Sequence, residues 1–222
     1  DDADLEEWER LCRASENLLE IPHWKAFIAN WESAVGDLYL IPPGTTHGHG
    51  GNQMVLEMDT CPSIAATEYS FFMYDFARPS WDDAARTMTG PPCRMHLDHG
   101  FAVDRSCRAS WVNDHLRARP TVVTWTKEYL LERYASDPRM PFEIERLQFD
   151  ARAEYDTLGT FMHIVTLTGG RQVTIRSRTN PAYHNTIRTW QSALVPACFG
   201  AYEYVNDDGG ACTVVLMRWK KG

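Results

Sequence analysis

No run of basic residues, no apolar stretch of membrane-spanning length and no C-x-x-C pair occurs in this sequence. Lys and Arg total 22 against 30 Asp and Glu, a formal net charge of −8. The chain therefore lacks the positive footprint that nucleic acid or an anionic membrane surface requires, and partners of both kinds are set aside. Cys12, Cys61, Cys93, Cys107, Cys198 and Cys212 are scattered. That spacing excludes a zinc-finger arrangement and makes a reducing cytoplasm the simplest expected setting. The sequence opens on Asp1-Asp2-Ala3-Asp4 and not on Met, so a natural start elsewhere is expected.

What is present is enough for a globular core. Hydrophobic residues make up 44% of 222 positions, which supports one domain or two small ones. Leu5, Trp8, Leu11, Cys12, Leu18 and Leu19 recur near helical spacing, and Glu6, Glu7 and Glu9 lie where a helix N-terminus favours anions. A first helix is expected there, broken at Pro22. A second amphipathic set follows at Trp24, Phe27, Ile28 and Trp31, with the tryptophans packing rather than stacking on sugars.

The stretch from Gly36 to Glu57 carries the chemistry. Leu38 to Ile41 are β-prone, Pro42-Pro43-Gly44 forces a turn, and Met54 to Leu56 predicts a returning strand, hence a hairpin with His47 and His49 at its bend. In extended backbone these two imidazoles share a face, and Gly48, Gly50 and Gly51 leave room for a ligand to approach. After the bend come Val55-Leu56-Glu57, a β-prone run from Tyr69 to Tyr74, Tyr74-Asp75-Phe76 and Arg94-Met95-His96-Leu97-Asp98. Arg78 to Pro92, rich in Pro and Gly, reads as irregular surface or a lid.

The order Gly36-Asp37-Leu38-Tyr39-Leu40-Ile41-Pro42-Pro43-Gly44-Thr45-Thr46-His47, then L-x-E, Y-D and R-x-H-L-D, resembles the cupin superfamily and within it the class I mannose-6-phosphate isomerases. The resemblance implies a mainly β, bicupin-like pair of jelly-roll barrels with an N-terminal helical insertion. Its implied divisions are a helical segment at 1–35, a metal-bearing first cupin domain at 36–120 and a degenerate second one at 121–222. It also implies zinc or another divalent metal held by His47 and a sugar or sugar phosphate as ligand; His49, which has no counterpart in the family motif, is the second candidate metal residue, as a ligand or a supporting group. Glu57 matches the family's proton-transfer glutamate. Moving a proton between adjacent carbons through an enediol needs such a base and a Lewis acid on the oxygens. The family's arginine has no match, because Phe72 stands at its position, so Arg78 and Arg94 are the candidate replacements. Isomerase is the leading expectation, and a non-catalytic carbohydrate-binding or regulatory cupin is the alternative. In the family a barrel half bearing Q-x-H precedes the helical segment. The resemblance thus implies a preceding segment or partner chain that completes the first barrel along Leu38 to Ile41.

The remainder predicts short strands at regular spacing: 122–126, 142–149, 161–167, 171–177, 191–196, 202–205 and 213–219. Phe142 to Leu147 alternates as a half-buried strand should. Leu194-Val195-Pro196-Ala197 resembles the family's degenerate C-terminal motif, which lacks a metal histidine. This half is expected to be structural, burying Leu194, Val215 and Leu216 together and leaving His163 and His184 without a role. His96 and His99 are likewise read as structural.

Overall fold

The computed structural model describes residues 1–15, 20–59, 73–74, 79–92, 95–103 and 105–220. The chain forms two compact units, Asp1–Val35 with Pro43–Asp114, and Gly36–Pro42 with His115–Gly222.

In the first unit, α1 spans Leu5–Ala14. Asp4 caps it, its Oδ1 accepting from the backbone N–H groups of Glu6 (3.0 Å) and Glu7 (3.1 Å). Trp8 and Cys12, four apart, present one buried face, which meets Ile21, Phe27, Tyr74 and Phe101. Trp8 stacks on Phe27 at 5.3 Å and meets Tyr74 edge-on at 5.1 Å, so this tryptophan serves packing, as expected. The second amphipathic set forms only a 3-10 turn at Trp24–Ala26.

The Pro- and Gly-rich stretch differs from expectation. Instead of irregular chain, β2 (Pro79–Asp82) and β3 (Thr87–Pro92) pair as an antiparallel hairpin. Asp82 closes its turn by accepting from the N–H groups of Ala84 and Ala85, both at 2.9 Å. Proline is tolerated because a two-stranded sheet has only edges. Gly90 is needed because a Cβ there would sit 2.6 Å from Ser80 Oγ. Two short helices, α2 (Leu97–Gly100) and α3 (Ala109–His115), follow.

The second unit opens with β1 (Leu38–Tyr39), which pairs with β4 (Arg117–Ala118). Leu40 extends the contact, donating its N–H to Leu116 O at 2.8 Å. The expected hairpin within Gly36–Glu57 is therefore not formed. Leu38 and Tyr39 find their partner some eighty residues on, while Met54, Val55 and Leu56 lie exposed without strand structure.

Ten further strands follow: β5 (Pro120–Trp125), β6 (Tyr129–Tyr134), β7 (Phe142–Phe149), β8 (Arg152–Asp156), β9 (His163–Gly169), β10 (Gln172–Ser177), β11 (His184–Arg188), β12 (Ser192–Val195), β13 (Ala201–Val205) and β14 (Cys212–Trp219). They form one sheet ordered β12-β9-β14-β7-β6-β5 and another ordered β11-β10-β13-β8. Counted from β7, the first strand lies beside the last and the second beside the next to last, the winding of a double-sheet jelly roll; β5 and β6 extend one sheet. Inward residues of both sheets meet in one core, with Leu147, Val165, Leu167, Val214 and Leu216 against Val173, Ile175, Tyr202 and Tyr204. Burial of each such aliphatic side chain stabilises by about 1.5–3 kcal/mol. The fold class is mainly β, with a cupin-type jelly roll and few helices, as the sequence implied. No helix among the described residues is long and apolar enough to cross a membrane.

Two of the three side chains expected to be buried together are not. Leu194 is 58% exposed and Val215 half-buried, whereas Leu216 is buried. Strand parity explains this, since Ala193 and Val195 sit opposite the inward Val165 and His163, which leaves Leu194 on the outer face.

Candidate functional site

His47, His49 and Glu57 all lie in the stretch after Pro43, which has no regular secondary structure as far as Asp59, and all three are exposed. The T-T-H turn is nonetheless tethered. Thr46 Oγ1 contacts Met73 Sδ at 3.5 Å, and Thr45 Oγ1 lies 3.8 Å from Cys107 Sγ. The His47 Nδ1 lies 3.0 Å from the Thr45 carbonyl. A carbonyl only accepts, so Nδ1 carries the proton and Nε2 is the nitrogen offered outward. The rings of His47 and His49 meet edge-on at 6.4 Å. Glu57 is not brought into a group with them. Arg78, Arg94 and Phe72 lie outside the described residues, as does most of the expected strand from Tyr69 to Tyr74.

Imidazole nitrogen suits zinc and related divalent metals, and a proton-bearing Nδ1 bound to a carbonyl is the usual support for an Nε2 ligand. In that respect His47 fits the implied metal. Among the described residues, however, no group of three or more His, Cys, Asp or Glu side chains is gathered to hold one. The fit is confined to one imidazole with a second beside it, and no reaction step can be assigned to them.

A different cluster, which the sequence reading missed, lies inside the C-terminal jelly roll. Glu145, on the inward face of β7, is 0% exposed. Its Oε1 accepts from Arg133 Nε at 2.7 Å and lies 3.2 Å from Arg218 Nε. Arg218 also pairs with Glu143. Two carboxylates and two guanidinium groups thus balance in charge, which is what makes such burial tolerable. Glu145 Oε2 has no hydrogen-bond partner among the described residues.

His163 stands beside this cluster at 3% exposure. Its Nδ1 is 3.0 Å from Tyr202 Oη, which lies 3.2 Å from Tyr204 Oη. Burial chiefly, helped by the Arg218 charge and partly opposed by Asp156, pushes the imidazole pKa down to about 4. The ring is therefore neutral at pH 7. Both phenols are raised, chiefly by burial. The two histidines expected to be without a role thus diverge, His163 entering a buried network and His184 remaining exposed with Nδ1 3.2 Å from Pro181 O. Parity held the missed signal, for Glu143, Glu145, Leu147 and Phe149 share one face of β7 and put a carboxylate among apolar neighbours.

The double-sheet jelly roll is the architecture of cupins, which lectin and viral capsid domains share. By sequence, no family model matches the chain and no curated protein does. Among solved structures it is similar to mannose 6-phosphate isomerase from Bacillus subtilis, at 13% identity and a TM-score of 0.47 over 66% of this chain and 39% of that one. It is also similar to a cupin-2 domain protein from Rhodospirillum rubrum, at 10% identity and TM-score 0.37 over 47% and 70% of the two chains. A third similarity is to the cupin-2 domain of an XRE family transcriptional regulator from Enterobacter cloacae, at 10% identity and TM-score 0.36 over 43% of this chain and 100% of that one. The chain spans 39% of the isomerase's length. The jelly-roll architecture rests on the strand order and not on these likenesses.

Proposed function

We propose that the protein is a metal-dependent aldose–ketose isomerase acting on a sugar or sugar phosphate, resembling class I mannose-6-phosphate isomerase. The observation that carries this reading is the G-D-L-Y-L-I-P-P-G-T-T-H segment, in which the His47 Nδ1 lies 3.0 Å from a carbonyl and Nε2 is offered outward beside His49. Zinc or another divalent metal bound there would supply a Lewis acid for a developing enediolate. Glu57, ten residues beyond His47, is the carboxylate available to move the proton, and Arg78 and Arg94 are the available cations. A preceding segment or a partner chain would contribute the remaining ligands, because zinc takes about three protein donors and one motif-matched histidine is present. The cytoplasm is the compartment this reading fits.

Phe72 favours a second reading, a carbohydrate-binding or regulatory cupin that does not catalyse, since an apolar ring occupies the place of the family's arginine. Turnover decides between the two. Purified protein is stripped with a chelator, reloaded with zinc and assayed on mannose 6-phosphate. The isomerase reading expects fructose 6-phosphate to form only after reloading and to be lost in Glu57→Gln. Sugar binding without any turnover, in the chain alone and with the preceding gene segment restored, would establish the second reading instead.

A further inference from the structure

The C-terminal jelly roll has a groove between its two edge strands, β11 and β12, with a volume of about 410 Å³. The inward positions of these strands explain why it is open. On β11, Ile187 is buried and closes the core, but Asn185, directly opposite the buried Ile175 and therefore on the same face, puts a primary amide where an aliphatic residue would seal the barrel. On β12 the matching inward position is Ala193, opposite Val165 and too small to fill the gap. Val195 and Phe199 make up the floor. At the rim, Tyr183 is 63% exposed and Leu194 58% exposed, an aromatic ring and an aliphatic chain left in water beside the opening.

No Asp, Glu, Lys or Arg is among the described residues lining this groove. A charged ligand would lose hydration there without gaining a counter-charge. Apolar walls, aromatic faces and polar side chains that donate and accept, the Asn185 amide with the His184 imidazole and the Tyr183 hydroxyl, are the chemistry that recognises an uncharged ring carrying hydroxyl groups. The volume falls in the usual range for small-molecule sites, about 300–1,000 Å³. We infer that the groove between β11 and β12 binds an uncharged hydroxylated ring of monosaccharide size, with Asn185 reading hydroxyl groups and Tyr183 and Phe199 supplying ring faces. This site is separate from the one proposed at His47 and stands or falls independently of it.

Saturation-transfer NMR with methyl α-mannoside tests the inference, because this glycoside is uncharged and cannot open to an aldehyde, so isomerase activity does not enter. Transfer is expected with the parent, lost in Ala193→Phe, which fills the groove, and reduced in Asn185→Leu, which keeps an exposed edge position but removes the amide. It should persist in His47→Ala. Circular dichroism confirms that each variant is folded, and Asn185→Leu decides the matter if Ala193→Phe is not. No transfer with the parent overturns the inference. So does transfer that survives both groove variants, or that is lost in His47→Ala while the groove is intact.

Discussion

The stretch around His47 and the interior of the C-terminal jelly roll invert each other. In the first, side chains of recognisable chemistry follow one another closely in sequence, yet among the described residues they lie exposed and meet only as a pair of imidazoles. In the second, Arg133, Glu145, His163, Tyr202 and Arg218 are spread over eighty-odd positions, and strand pairing gathers them around two buried groups, Glu145 and His163. A motif marks where chemistry is expected. The sheet decides which groups become neighbours, and burial decides how strongly they interact.

If that contrast is right, carboxylates in the two regions should differ most. Glu145→Ala removes the fully buried carboxylate that Arg133 and Arg218 share, and is expected to cost about 3 kcal/mol, the low end for a broken buried pair, because Arg133 reaches solvent and Arg218 keeps Glu143. Glu57→Ala, on an exposed segment, should stay within about 0.5 kcal/mol. Urea unfolding followed by near-ultraviolet dichroism measures both, and equal losses would erase the distinction. Aliphatic residues give a comparison within the jelly roll itself: Leu216→Ala should lose about 2–5 kcal/mol through cavity formation, while Leu194→Ala should change stability little.

A third effect is acid sensitivity. His163 is held neutral, with a pKa lowered from the ordinary 6.5 to about 4. The unfolded chain therefore takes up this proton more readily than the folded one. Stability from this group is fully present above pH 6.5 and is lost as the pH falls toward 4, by on the order of 3 kcal/mol. Titrating the urea midpoint from pH 7 to pH 4 should show a steeper decline in the parent than in His163→Gln. Parallel curves would mean that the buried imidazole is not the proton acceptor. The smallest effect lies in the first unit, where Asp4→Ala removes the α1 cap and should cost about 1 kcal/mol, read as reduced helical dichroism.

The jelly roll was legible because its strands are bounded by turn residues and alternate cleanly; Phe142 to Phe149 matches its predicted span end to end. Strands β6, β8 and β11 were missed. Their β-prone residues are mixed with charges, as in Arg152-Ala153-Glu154-Tyr155-Asp156, and pairing with neighbours outweighs that local ambiguity. Leu38 and Tyr39 were read correctly as strand but given the wrong partner, since local sequence cannot show that Arg117 and Ala118 offer the better edge. At the site, His47 could be read from a motif. The His163–Tyr202–Tyr204 chain could not, because its members meet only across the two sheets. Glu145 was legible through parity alone, as a carboxylate on the face that carries Leu147 and Phe149.

Metal content by elemental analysis, on the parent, His47→Ala and the double variant His163→Gln/His184→Gln, bears most directly on the division of labour between the regions. With the remaining ligands supplied by the proposed preceding segment or partner chain, the account predicts zinc or another divalent metal in the parent and the double variant, and its loss in His47→Ala with the fold retained by circular dichroism. Equal metal in parent and His47→Ala, or loss confined to the His163 and His184 variant, would contradict it and move the metal chemistry into the jelly roll.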